Sequence, residues 1–85
     1  MTIEVKIIEW VSEMESLHSD TSTSAEARKG VLREYLAIAG TTGAFFGGFD
    51  GMKQLHDACE AMTGNNNEIG YVLNRVWDGI GGWLS

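Results

Sequence analysis

Apolar residues recur along most of the chain at helical spacing, and turn-forming residues cut the pattern into four segments. These predict helices near residues 6–19, 24–39, 44–63 and 67–84, with no proline to interrupt any of them. In the first, Ile3, Ile7, Trp10, Val11, Met14 and Leu17 share one stripe, while Glu9, Glu13 and Asp20 lie away from it. Residues 2–8 also alternate, with Ile3, Val5 and Ile7 set against Glu4 and Lys6, a pattern that suits a short strand. Helix is the preferred reading there.

The second segment opens on Thr23-Ser24-Ala25-Glu26, a capping-box pattern in which hydroxyl and carboxylate each satisfy an orphan amide. Val31, Leu32, Tyr35, Leu36 and Ala39 make its apolar face, Arg28 projects onto the edge of that face, and Gly40 is expected to stop the helix. In the third segment Phe45, Phe49, Met52, Leu55, Cys59 and Met62 form the stripe, and Gly43, Gly47 and Gly51 repeat beside it every four residues. Each glycine costs a helix interior about 1 kcal/mol relative to alanine, so three in register imply close approach of another backbone. The competing reading makes residues 40–49 a loop, with Asp50 capping a shorter helix from 51 to 63. The turn Gly64-Asn65-Asn66-Asn67 precedes the last segment, where Asn65 is the expected cap and Ile69, Val72, Leu73, Val76, Ile80, Trp83 and Leu84 give the cleanest apolar face. The expected fold is therefore all-α: one domain over residues 1–85, a compact bundle of about four short helices.

Length and charge narrow the function. An 85-residue chain has room for one modest core and little for a substrate pocket beside it. No apolar run reaches the roughly 18 residues of a membrane span, the N-terminus lacks secretory-signal features, and the single cysteine, Cys59, has no internal disulfide partner. A cytoplasmic location is expected. Twelve acids against six bases leave a net charge of −6, which opposes binding to nucleic acid. Five of the twelve acids fall in residues 1–20 against Lys6 alone, whereas Arg28, Lys29 and Arg33 form the basic group.

Candidate chemistry is thin. His56, Asp57, Cys59 and Glu60 include metal-ligand types, but a structural zinc site takes four ligands and the other histidine is His18, so neither metal nor cofactor is expected. No nucleophile–base signature or phosphate loop appears, so the chain is not read as an enzyme. Phe46 and Tyr71 fall outside the main apolar stripes and, as aromatics, are candidate interface anchors.

The leading expectation is a small acidic module that binds, and by binding inhibits, a larger protein partner with a basic surface. Glu9, Glu13, Asp20, Phe46 and Tyr71 would form the contact, the carboxylates acting as a nucleic-acid-like decoy. Small inhibitors encoded by phages have this general character, an analogy of class with no motif behind it. The rival expectation is a self-associating homo-oligomer, with Gly43, Gly47 and Gly51 as its close-packing seam and a small ligand held between subunits. A weaker third is a helix-turn-helix-like DNA-binding regulator built on the basic trio and the Gly40-Thr41-Thr42-Gly43 turn; the apolar segment that follows lacks a recognition helix's polar side chains.

Overall fold

Thr2 has extended backbone, and its hydroxyl accepts the amide of Val5 at 3.4 Å, so helical structure starts before the first expected boundary. A computed structural model of the chain describes residues 2–64 and 67–83. It contains three helices, α1 (Ile3–Ser16), α2 (Thr23–Met62) and α3 (Asn67–Trp77), and no strand among the described residues. The all-helical expectation holds, and residues 3–8 are helix rather than strand. The number of helices does not hold: three are present where four were expected, because the second and third expected segments form one element.

That merger has a local cause. The residues expected to break the chain, Gly40 to Gly43, are helical, and the interruption falls instead at Gly48, with φ 61° and ψ −154°. Such backbone is open almost only to glycine. A straight helix of 40 residues would measure about 60 Å, yet the molecule is 37 Å in its longest dimension. Helix α2 therefore turns sharply at Gly48 into a first limb (23–47) and a second limb (49–62). Asp50 lies within α2 and does not begin a separate helix.

The start of α2 also differs from expectation. The Asp20 carboxylate accepts the Ser22 amide at 2.9 Å, an Asx turn that holds Ser22 extended. Ser22, not Thr23, then caps the helix by accepting the Ala25 amide at 3.3 Å. Glu26, freed from the expected capping box, bonds Lys29 at 2.7 Å. Lys29 also donates to the Asp20 carbonyl at 3.0 Å, tying the α1–α2 connection to the first turns of α2.

Ile7 and Val11 of α1, Leu36, Ala39, Met52 and Cys59 of α2, and Ile69, Val72, Leu73 and Trp77 of α3 form one buried core, closed by Trp83. The join between α2 and α3 is close. Gly40, which does not end its helix, is buried under the indole of Trp77; a Cβ there would lie 2.5 Å from the indole nitrogen. That nitrogen donates to the carbonyl of Leu36 at 2.8 Å, fully buried. Gly70 plays a similar part on α3, where a Cβ would meet the Glu60 carboxylate and, at 3.1 Å, the His56 ring.

Helix α3 ends at Trp77 and not at 84, because Gly79, Gly81 and Gly82 all take positive φ (86°, 57° and 86°). Residues 78–83 form a small loop held by Ile80 N–H to the Trp77 carbonyl (2.8 Å), Trp83 N–H to the Ile80 carbonyl (2.9 Å) and Gly79 N–H to the Trp83 carbonyl (2.8 Å). Asn65, the expected cap of the last helix, and Leu84, the last residue of its expected stripe, lie outside the described residues. No helix is long and apolar enough to cross a membrane among those residues.

Candidate functional site

The first limb of α2 carries two apolar faces. Ala25, Leu32, Leu36 and Ala39 turn into the core. Val31, Tyr35, Ile38 and Phe45 are all exposed, with Thr42 completing a stripe at alternating four- and three-residue steps. The single face read from sequence is therefore split: Leu32, Leu36 and Ala39 are buried, while Val31 and Tyr35 stay outside. Trp10 of α1 packs against Tyr35 with ring centroids 5.3 Å apart, flanking the outer stripe.

The stripe ends at the bend. Phe45 is 83% and Phe46 82% exposed, and their rings meet edge to face at 5.1 Å. Leaving two whole phenyl groups in water on a regular helix forgoes burial worth about 1.5–3 kcal/mol each. Single exposed apolar residues are ordinary; a contiguous stripe ending in two phenylalanines is the kind of patch that marks an interaction surface.

The bend beneath them is braced from two sides. Within α2, Gly51 approaches Gly43 so closely that a Cβ on Gly51 would lie 2.8 Å from the Gly43 carbonyl oxygen. From the C-terminal loop, Gly81 fits against Ala44 and the Met52 sulfur, where a Cβ would be 2.7 and 2.8 Å away. Trp83 packs on Phe49, His56 and Trp77 with centroid separations of 5.3, 5.3 and 5.4 Å, and its indole nitrogen donates to Asn74 at 3.1 Å. Of the three seam glycines, Gly43 and Gly51 thus meet each other across the bend, and Gly47 faces open space with nothing within 4 Å of a Cβ.

The expected acidic contact residues are dispersed. Glu13 is clasped by Arg28 through two bonds, Nε to Oε2 at 2.6 Å and Nη2 to Oε1 at 3.0 Å, and the Arg28 guanidinium holds the Glu13 carboxyl below its ordinary pKa. Asp20 is spent on the Asx turn, and the Ser22 amide lowers its pKa likewise. Glu9 remains exposed, with Lys6 at 3.6 Å. Tyr71 is 65% exposed on α3, where it lines a cleft with Glu15 and Glu68. Phe46 joins Phe45, which sequence reasoning had assigned to a buried stripe. The missed signal was the bend: with Gly48 non-helical, Phe45 and Phe49 no longer share a continuous helical face.

His56, Asp57 and Glu60 are the metal-ligand types that come together, their ligand atoms all within 4.8 Å of one another. Asp57 is bonded by His56 Nδ1 and by Lys53, both at 3.1 Å, and these partners lower its pKa, His56 first. The Lys53 ammonium already supplies a positive charge there. Cys59 is fully buried with its thiol toward the Glu4 carbonyl at 3.8 Å, and burial pushes its pKa up to about 11. The turn that a helix-turn-helix would need at residues 40–43 is absent, since those residues run on within α2. No protein-family model, curated protein or solved structure matches this chain.

Proposed function

We propose that this protein is a binding module that seats the outer face of α2 in an apolar groove of a larger protein and modulates that partner by occupying the groove. Helix-in-groove recognition uses anchors at helical spacing, and Val31, Tyr35, Ile38 and Phe45 have it. The observation that carries the reading is the exposure of Phe45 and Phe46 on a braced bend, where little ordering remains to be done on binding. Glu34 beside the stripe, exposed Glu9 and the net charge of −6 favour a groove with a basic rim. Of the three carboxylates expected to act as a decoy, Glu9 is the most available, its contact being a solvent-exposed pair with Lys6 at 3.6 Å, whereas Glu13 and Asp20 are hydrogen-bonded within the fold.

A second reading is self-association, favoured by one observation: the four-three alternation of Val31, Tyr35, Ile38, Thr42 and Phe45 is also that of a coiled-coil seam. Sedimentation equilibrium separates the two, a monomer at micromolar concentration supporting the foreign partner and a dimer the second copy. For the leading reading, proteins captured from the native host by the wild type are compared with those captured by a Phe45→Ser, Phe46→Ser variant. Both side chains are exposed, so the variant keeps its fold within about 0.5 kcal/mol. Losing two central aromatic anchors lowers affinity about 100-fold or more. An identical capture profile for wild type and variant refutes the reading.

A further inference from the structure

Four of the chain's six bases are held in ion pairs: Lys6 with Glu9, Arg28 with Glu13, Lys29 with Glu26 and Lys53 with Asp57. Among the described residues Arg33 and Arg75 meet no carboxylate, although acids number twelve against six bases. These two arginines come from different helices, α2 and α3, and both line the same cleft, about 410 Å³ in volume, beside His18. Small-molecule sites span about 300–1,000 Å³. Met14, Val72 and Val76 supply an apolar wall.

The other charged groups set an orientation. Glu26 at this cleft is occupied by Lys29 at 2.7 Å, so it does not neutralise Arg33. The cleft continues past Arg75, His18 and Val72 toward Glu68 and Tyr71. Glu15 lines both the cleft and this continuation, and burial, then the neighbouring Glu68, raise its pKa, so added negative charge is resisted beside it. The side of the cleft formed by Arg33 and Arg75 therefore suits an acid group better than the side formed by Glu15.

We propose that this cleft binds a small organic acid, its carboxylate held between the Arg33 and Arg75 guanidiniums and its apolar body lying along Met14, Val72 and Val76. Guanidinium is the group best matched to a carboxylate, offering paired donors in a planar fork. The site shares no residue with the exposed stripe and bend of α2, so it stands or falls independently of the protein-binding reading.

The test is titration of ¹⁵N-labelled protein with hexanoate, hexylamine and inorganic phosphate, followed by amide chemical shifts. Hexanoate shifts Val72, Arg75 and His18 saturably; hexylamine, with the same tail and opposite charge, does not; phosphate, lacking a tail, binds more weakly. Arg33→Gln and Arg75→Gln each weaken hexanoate by about tenfold or more. Among the described residues neither arginine has a carboxylate partner to lose, and a circular dichroism melt verifies that each variant folds. Arg28→Gln, which removes the guanidinium bonded to Glu13, leaves the dissociation constant unchanged. The proposal is overturned if hexanoate gives no saturable shifts, if hexylamine or phosphate binds as well, or if both arginine variants bind like the wild type.

Discussion

Gly40→Ala and Gly47→Ala are the same chemical change in the same helix, and they should move stability in opposite directions. In a helix interior alanine is favoured over glycine by about 1 kcal/mol. Gly47 is exposed and a Cβ there meets nothing within 4 Å, but it ends the first limb, so Gly47→Ala should realise part of that gain. At Gly40 the added Cβ falls 2.5, 2.6 and 2.9 Å from three atoms of the Trp77 indole. That ring is fully buried and bonded to the Leu36 carbonyl, so it can yield only by moving as a unit. Overpacking costs about 1–3 kcal/mol, and an indole N–H left buried without its acceptor costs about 1–3 kcal/mol more. Set against the helix gain, the net is a loss of about 1–5 kcal/mol. For a domain of this size 1 kcal/mol shifts the melting temperature by about 4–8 °C, so at the middle of that range, about 3 kcal/mol, Gly40→Ala should melt roughly 12–24 °C below wild type. Urea titration followed by circular dichroism at 222 nm gives both free energies. A Gly40→Ala variant as stable as wild type would refute the argument that Trp77 on Gly40 locks α3 to α2.

Gly48→Ala should cost about 1–3 kcal/mol although its Cβ meets nothing, because the strain lies in the backbone; an unchanged urea midpoint would count against the bend. Glu15→Gln should raise stability at pH 7 by up to about 0.5 kcal/mol, and the gain should vanish near pH 3. The sign follows from the raised pKa of Glu15: its favourable contribution is present below the unfolded value and lost as pH rises through the folded one. Glu13, Asp20 and Asp57, all with lowered pKa, act oppositely, stabilising above their unfolded values and losing that contribution as acid protonates them. Cys59, with a thiol pKa near 11, should react with a disulfide reagent at pH 8 only as fast as the protein opens; rapid reaction of the native protein would contradict its burial.

Periodicity made the helices legible and misplaced their breaks for definable reasons. Ile7, Val11, Leu36, Met52, Cys59 and Leu73 were all assigned to apolar stripes, and all are in the core. The spacing reads Gly40 as a stop signal and Gly43, Gly47 and Gly51 as a close-packing seam, yet in this chain glycine does three different things. Gly40 admits a tryptophan, Gly43 and Gly51 admit each other, and Gly48 takes a φ that other residues avoid. Nothing in a run such as Gly40-Thr41-Thr42-Gly43 distinguishes a turn from a docking notch, because the difference lies in Trp77, 37 residues away. The last helix was drawn too long because Ile80 and Trp83 keep helical phase by number, although three glycines between Trp77 and Trp83 were a local warning. The cleft at Arg33 and Arg75 was invisible, since no spacing rule links residues on separate helices.

The C-terminal loop and the exposed aromatics are parts of one arrangement. Phe45 and Phe46 sit outside because α2 turns at Gly48, and the turn is held by what packs into its angle: Gly81 against Ala44 and Met52, and Trp83 against Phe49 and His56. A lone glycine kink is a hinge, since the backbone that admits one unusual φ also admits ordinary helix. Trp83 opposes that freedom, because straightening would break its ring contacts with Phe49 and His56 of the second limb. Its indole is in turn fixed by Asn74 and by the edge of Trp77, which is bonded to Leu36 on the first limb. The chain of contacts therefore runs from the first limb through Trp77 and Trp83 to the second limb, clamping the two sides of the bend to a common wedge. Trp83→Ala should loosen the bend without touching Phe45 or Phe46. If binding depends on the preformed angle, that variant should lose affinity while its aromatic anchors remain intact, and a fully retained affinity would show that the anchors act without the bend.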